Sequence, residues 1–189
     1  MLYATASQTV GPYLHIGLTG LNCADLTAEA PALAAQRIVI EGRVTDGNGA
    51  PVIDGMVEIW QANPAGRYRH ADDTREALPL TPGFTGFGRV PTGDDGTFRF
   101  VTVKPGTVPG ADGKPQAPHI VMSVFTRGLV RHVSTRLYFP DEAAANAADG
   151  VLALVPAERR GTLIATQANG ALRFDVVLQG PGETVFFDI

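Results

Sequence analysis

Cysteine is nearly absent from this chain: Cys23 stands alone in 189 residues. One cysteine forbids an intramolecular disulfide, which suits a reducing cytoplasm. Histidine and tyrosine are also scarce, at four each (His15, His70, His119, His132; Tyr3, Tyr13, Tyr68, Tyr138), and Trp60 is the one tryptophan. Metal-binding and nucleophilic side chains are therefore few enough to follow one by one. The opening MLYATASQTVGPY lacks the basic stretch and apolar core of a secretory leader. No apolar run approaches the roughly 18–20 residues of a membrane span. A net charge of −4, with acids spread along the chain, disfavours nucleic acid as a partner. The expectation is a cytoplasmic protein with no membrane or nucleic-acid partner.

What is abundant is glycine and proline, 22 and 14 residues. Together they exceed the average share of roughly 12% and punctuate short elements. With 44% hydrophobic and 18% charged residues the chain is globular rather than disordered. At this length it can bury a core without covalent staples.

Strand signals dominate. Ile38, Ile40 and Val44 alternate with Glu41 and Arg43, the period of two expected for a half-buried strand. The turn Asp46-Gly47-Asn48-Gly49 follows, then a second strand over 56–61. A third lies between Gly96 and Lys104, with Phe98 and Phe100 flanking Arg99; further strands are expected over 119–125, 130–139 and 172–178. Pro140 and the acids Asp141 and Glu142 open a short helix that stops before Gly150, and 156–160 suits one more turn. Residues 67–91 have no clear periodicity, and a loop of that length usually serves function or an interface. The predicted fold is mainly β: an antiparallel β-sandwich core with short helices, long loops and an N-terminal arm. The whole of 1–189 reads as one domain, with 1–35 as the arm and 36–189 as the core.

Several segments are distinctive. They include Ser7-Gln8-Thr9-Val10-Gly11-Pro12-Tyr13, Val57-Glu58-Ile59-Trp60-Gln61-Ala62-Asn63, and Gly66-Arg67-Tyr68-Arg69-His70. Val103-Lys104-Pro105-Gly106, Ala117-Pro118-His119-Ile120, Thr135-Arg136-Leu137-Tyr138-Phe139 and the end from Gly182 to Asp188 complete the set. In this order and over nearly the whole chain, they resemble the intradiol ring-cleaving dioxygenases. The resemblance independently implies a β-sandwich.

Catalytic members of that family hold one ferric ion with two tyrosinates and two histidines. Hard phenolate oxygens suit a hard trivalent ion. The histidines come as His-x-His on a strand, where positions i and i+2 share a face. Here His119 fills the first position, but Val121 fills the second. The tyrosine expected after Lys104-Pro105-Gly106 falls at Thr107-Val108, and the other falls near Arg75-Glu76. Three of four ligands are missing, so no metal is expected on this chain and no residue of it is expected to be catalytic. Tyr138 reads as a packing residue with its hydroxyl satisfied, His119 as a hydrogen-bonded remnant, His70 and His132 as surface or cap residues. Arg136 reads as the partner in an internal or interface ion pair.

The resemblance further implies a hetero-oligomer. A homologous beta-type chain would hold Fe(III), and this chain would complete its site for cleaving protocatechuate with O2 to 3-carboxy-cis,cis-muconate. The substrate carboxylate points away from the metal and needs its own recognition. Carried onto this sequence, the implied substrate-binding positions are Thr9, Gly11, Pro12, adjacent Tyr13, and Arg127. Arginine presents a planar fork of donors to a carboxylate. Glycine permits close backbone approach, and proline fixes the chain direction. The plainer alternatives are an extended arm packed on a partner and, for Arg127, a surface arginine in a weak ion pair. A different class remains open too: a non-enzymatic β-sandwich binding module built around Trp60 and other aromatics.

Overall fold

The computed structural model describes residues 16–188. Its strands are β1 (Arg37–Thr45), β2 (Met56–Trp60), β3 (Phe87–Pro91), β4 (Thr97–Val103), β5 (Val108–Pro109) and β6 (Pro115–Gln116). They continue as β7 (His119–Phe125), β8 (Val133–Tyr138), β9 (Thr166–Ala168), β10 (Ala171–Arg173) and β11 (Val176–Val177). Two short helices, α1 (Ala143–Ala148) and α2 (Gly150–Ala153), follow β8, with a 3-10 turn at Ala157–Leu163.

Two sheets form the sandwich. In the first, β1 runs antiparallel to β4, with Ile40 opposite Phe100. In the second, β3, β2, β7 and β8 lie side by side, antiparallel throughout. Alternation along the strands sends one set of side chains inward. Ile40, Phe98 and Phe100 from the first sheet thereby share a buried cluster with Ile59, Ile120, Met122 and Leu137 from the second. Each such side chain contributes about 1.5–3 kcal/mol on full burial.

The mainly-β sandwich is as expected, with one addition. Both β10 and β11 pair with β1 in parallel, so the first sheet is mixed. The run 172–178 is accordingly not one strand. It is interrupted at Phe174 and Asp175, where Asp175 Oδ1 accepts from the Arg43 amide at 2.9 Å. A Cβ on Gly42 would stand 1.8 Å from the Phe174 carbonyl oxygen, so only glycine allows the backbones to cross this closely.

Strand β3 lies inside the stretch that lacked periodicity. It is an edge strand, where Pro91 is tolerated because its missing donor breaks no inner ladder. The expected helix begins at Ala143 rather than at Asp141, and both acids before it pair with Lys104, at 2.8 Å for Asp141 and 2.5 Å for Glu142. Much of the arm's described part packs on this chain's own sandwich. Cys23 bridges to Arg89 and Asp25 to Val101, while Leu26, Ala30 and Leu33 are buried.

Candidate functional site

The outer face of the second sheet carries the positions of interest. Because i and i+2 share a face, His119 and Val121 on β7 both point away from the core that Ile120 and Met122 enter. Ladder register then fixes their neighbours: Val121 lies between Trp60 on β2 and Arg136 on β8, and His119 lies opposite Tyr138.

His119 is 4% exposed, and its Nδ1 is 2.8 Å from the Ala117 carbonyl oxygen. A carbonyl can only accept, so Nδ1 carries the proton. Burial, then the nearby Arg136 charge, pushes the imidazole pKa down to about 4. The ring is neutral at physiological pH. Tyr138 donates its hydroxyl to Asp149 Oδ1 at 3.1 Å, and burial raises its pKa. It is a packed, satisfied phenol, as expected.

Val108 and Arg75 line one cavity of about 430 Å³ with Trp60, Tyr68, His70 and Asp73. Trp60 is also the cross-strand neighbour of Val121. The substituted ligand positions are thus gathered in space, although they are far apart in sequence. Tyr68 stacks on Trp60 with centroids 5.8 Å apart, and burial raises its hydroxyl pKa. Arg75 is held by Asp73 through Nε at 2.8 Å and Nη2 at 2.6 Å, and it also donates to the Gly66 carbonyl. That guanidinium holds the Asp73 carboxyl well below the usual range.

These residues do not fit a ferric ion. Two of the gathered positions are valines, another is an arginine locked to its own carboxylate, and the Tyr138 hydroxyl is already committed to Asp149. Among the described residues no cluster of three or more His, Cys, Asp or Glu could hold a metal. Three donors are the usual minimum for iron.

The predicted substrate-binding positions Thr9, Gly11, Pro12 and Tyr13 lie outside the described residues. Arg127 lies two residues beyond Phe125, the end of β7 opposite His119, and the strand's own two ends are roughly 20 Å apart. It therefore shares no site with His119. Its side chain is 69% exposed and its Nε pairs with Asp54 Oδ2 at 2.8 Å.

Arg136 differs from its sequence-based reading within this chain. Among the described residues it has no carboxylate within ion-pair distance; its Nη1 donates instead to the neutral Gln116 Oε1 at 2.5 Å. Strand alternation on β8 was the available signal, since it puts Arg136 on the Tyr138 face. His70 is a cap, accepting at Nδ1 from the Asp72 amide at 3.2 Å, and His132 stacks on Phe125.

A β-sandwich with this ordered set of segments defines a class of enzymes. Residues 11–180 match the family model described as dioxygenase, and the chain belongs to that family. Among relatives, it is 48% identical over 203 residues to the protocatechuate 3,4-dioxygenase alpha chain of Burkholderia cepacia, covering 100% of this chain and 98% of that one. The beta chain of that organism's protocatechuate 3,4-dioxygenase is 40% identical over 160 residues, covering 79% of this chain and 67% of its own length. The dioxygenase domain of a carbohydrate-binding fusion from Streptomyces sp. SirexAA-E superposes with a TM-score of 0.59 at 27% identity, covering 85% of this chain and 89% of that one.

Proposed function

We propose that this chain is the non-iron-binding, alpha-type subunit of a protocatechuate 3,4-dioxygenase. Its partner is a homologous beta-type chain that holds Fe(III). The observation that carries this reading is a combination: an end-to-end match to an alpha chain, together with valine at two of the family's ligand positions. The reaction of the assembled enzyme is ring cleavage of protocatechuate by O2, and its compartment is the cytoplasm.

This chain's share is recognition and enclosure. Arg127 is exposed at the rim of the second sheet, where its planar donors can meet the substrate carboxylate beside a partner. To do so it exchanges a solvent-exposed ion pair with Asp54, which is worth little. Thr9, Gly11, Pro12 and Tyr13 supply the rest of the wall, adding a hydroxyl, close backbone approach and a rigid apolar surface. Orientation and exclusion of water are both sources of rate.

The end-to-end match to an alpha chain weighs against the binding-module alternative. Trp60 is covered by Tyr68 and approached by His70, while Thr184 is buried and Phe186 and Phe187 pack against the two apolar clusters. Coexpression with a beta-type homologue tests the proposal. Oxygen uptake with protocatechuate is expected from the pair and not from this chain alone. Ring cleavage by the isolated chain would sink it.

A further inference from the structure

The loss of ligands explains why this chain offers a metal little; it does not explain Arg136. That residue lies directly across the β7–β8 ladder from Val121. Its Nη1 donates to Gln116, and Gln116 lies directly across the β5–β6 hairpin from Val108. The side chain therefore reaches from one vacated ligand position to the strand partner of another. Phe187 backs the guanidinium at 6.0 Å. Among the described residues no carboxylate lies within ion-pair distance of it, and arginine does not lose its proton at any physiological pH.

We propose that Arg136 is a metal-excluding residue: its fixed cation, starting beside Val121 and held by the hairpin that carries Val108, rejects metal cations from this chain. Like charges repel more strongly in partly buried surroundings than in open water. A chain so equipped would stay empty even where donor side chains were supplied, leaving iron to its homologous partner. This rests on the family's ligand positions and not on the substrate proposed above. The test reads metal affinity alone, so either reading can fail without the other.

The experiment uses the full-length chain and Co(II), which imidazole binds readily. Val121→His supplies a His-x-His pair with His119, and Val121→His/Arg136→Gln supplies the same pair without the charge. Co(II) is titrated into each and followed by its visible absorption and by calorimetry. The double variant is expected to bind at least tenfold more tightly. Val121→His/Arg136→Lys, which keeps the charge, is expected to bind as weakly as Val121→His alone. Circular dichroism verifies the fold, and Arg136→Met replaces Arg136→Gln if the latter does not fold. A gap below tenfold overturns the proposal, as does a lysine variant that binds as tightly as the glutamine one.

Discussion

Tyr138 and Asp149 are joined by a buried hydrogen bond of 3.1 Å that ties the second sheet to the helical segment after it. The same carboxylate accepts from the Ala117 amide at 2.8 Å, just before His119, and from the Val151 and Leu152 amides that open α2. One side chain thus caps a helix and fixes the entry of β7. Asp149→Ala leaves these donors unpaired in the interior. A loss of about 3 kcal/mol or more is expected, measured by urea unfolding. Asp149→Asn is expected to recover part of it, because one amide oxygen can still accept.

Backbone crossing sets a second prediction. Gly42→Ala places its methyl 1.8 Å from the Phe174 carbonyl oxygen, with backbone rather than a flexible side chain in the way. The strand pairing of β1 with the closing segment has to shift. The expected cost is on the order of 3 kcal/mol, and a variant with an unchanged denaturation midpoint refutes the crossing argument.

Acid should weaken the fold through His119. Its folded pKa is about 4, below the ordinary 6.5, chiefly because burial disfavours the charged ring. The unfolded chain therefore takes up a proton at a pH where the folded chain does not. Stability from this group is fully present above pH 6.5 and falls as pH drops from 6.5 toward 4, by on the order of 3 kcal/mol. Asp73, whose pKa is lowered by Arg75, loses its contribution only as pH falls below the ordinary carboxylate value. Urea unfolding across pH 4.5–7 should show the slope, and His119→Gln should flatten it.

Arg127 is predicted to act on substrate binding in the assembled enzyme. Arg127→Ala should raise KM for protocatechuate roughly tenfold, the order expected for one charge-assisted contact, with iron content unchanged. Unaltered steady-state constants would remove Arg127 from the substrate site.

Much of the sandwich was legible because one face of each strand is buried. Ile38, Ile40 and Val44 announce β1 by alternation, as Phe98 and Phe100 announce β4. Strand β3 was hidden because an edge strand can carry both Gly88 and Pro91. The parallel pairing of β10 and β11 with β1 leaves no local mark, since their partners lie more than a hundred residues upstream.

The missing ligands could be read from motif positions alone. What could not be read is how those positions come together: Val108 is linked to Arg136 through its hairpin partner, Gln116. That Arg136 meets a neutral amide rather than a carboxylate within this chain depends on that same contact. Side-chain pairing of this kind is decided by tertiary placement rather than by neighbours in sequence.

The central claim is that this chain completes an active site whose metal sits on another. Iron counted in the purified complex with a beta-type homologue tests it most directly. The account predicts one iron for each pair of chains, retained when His119→Gln is introduced here. Two irons per pair, or loss of iron on that substitution, would contradict it.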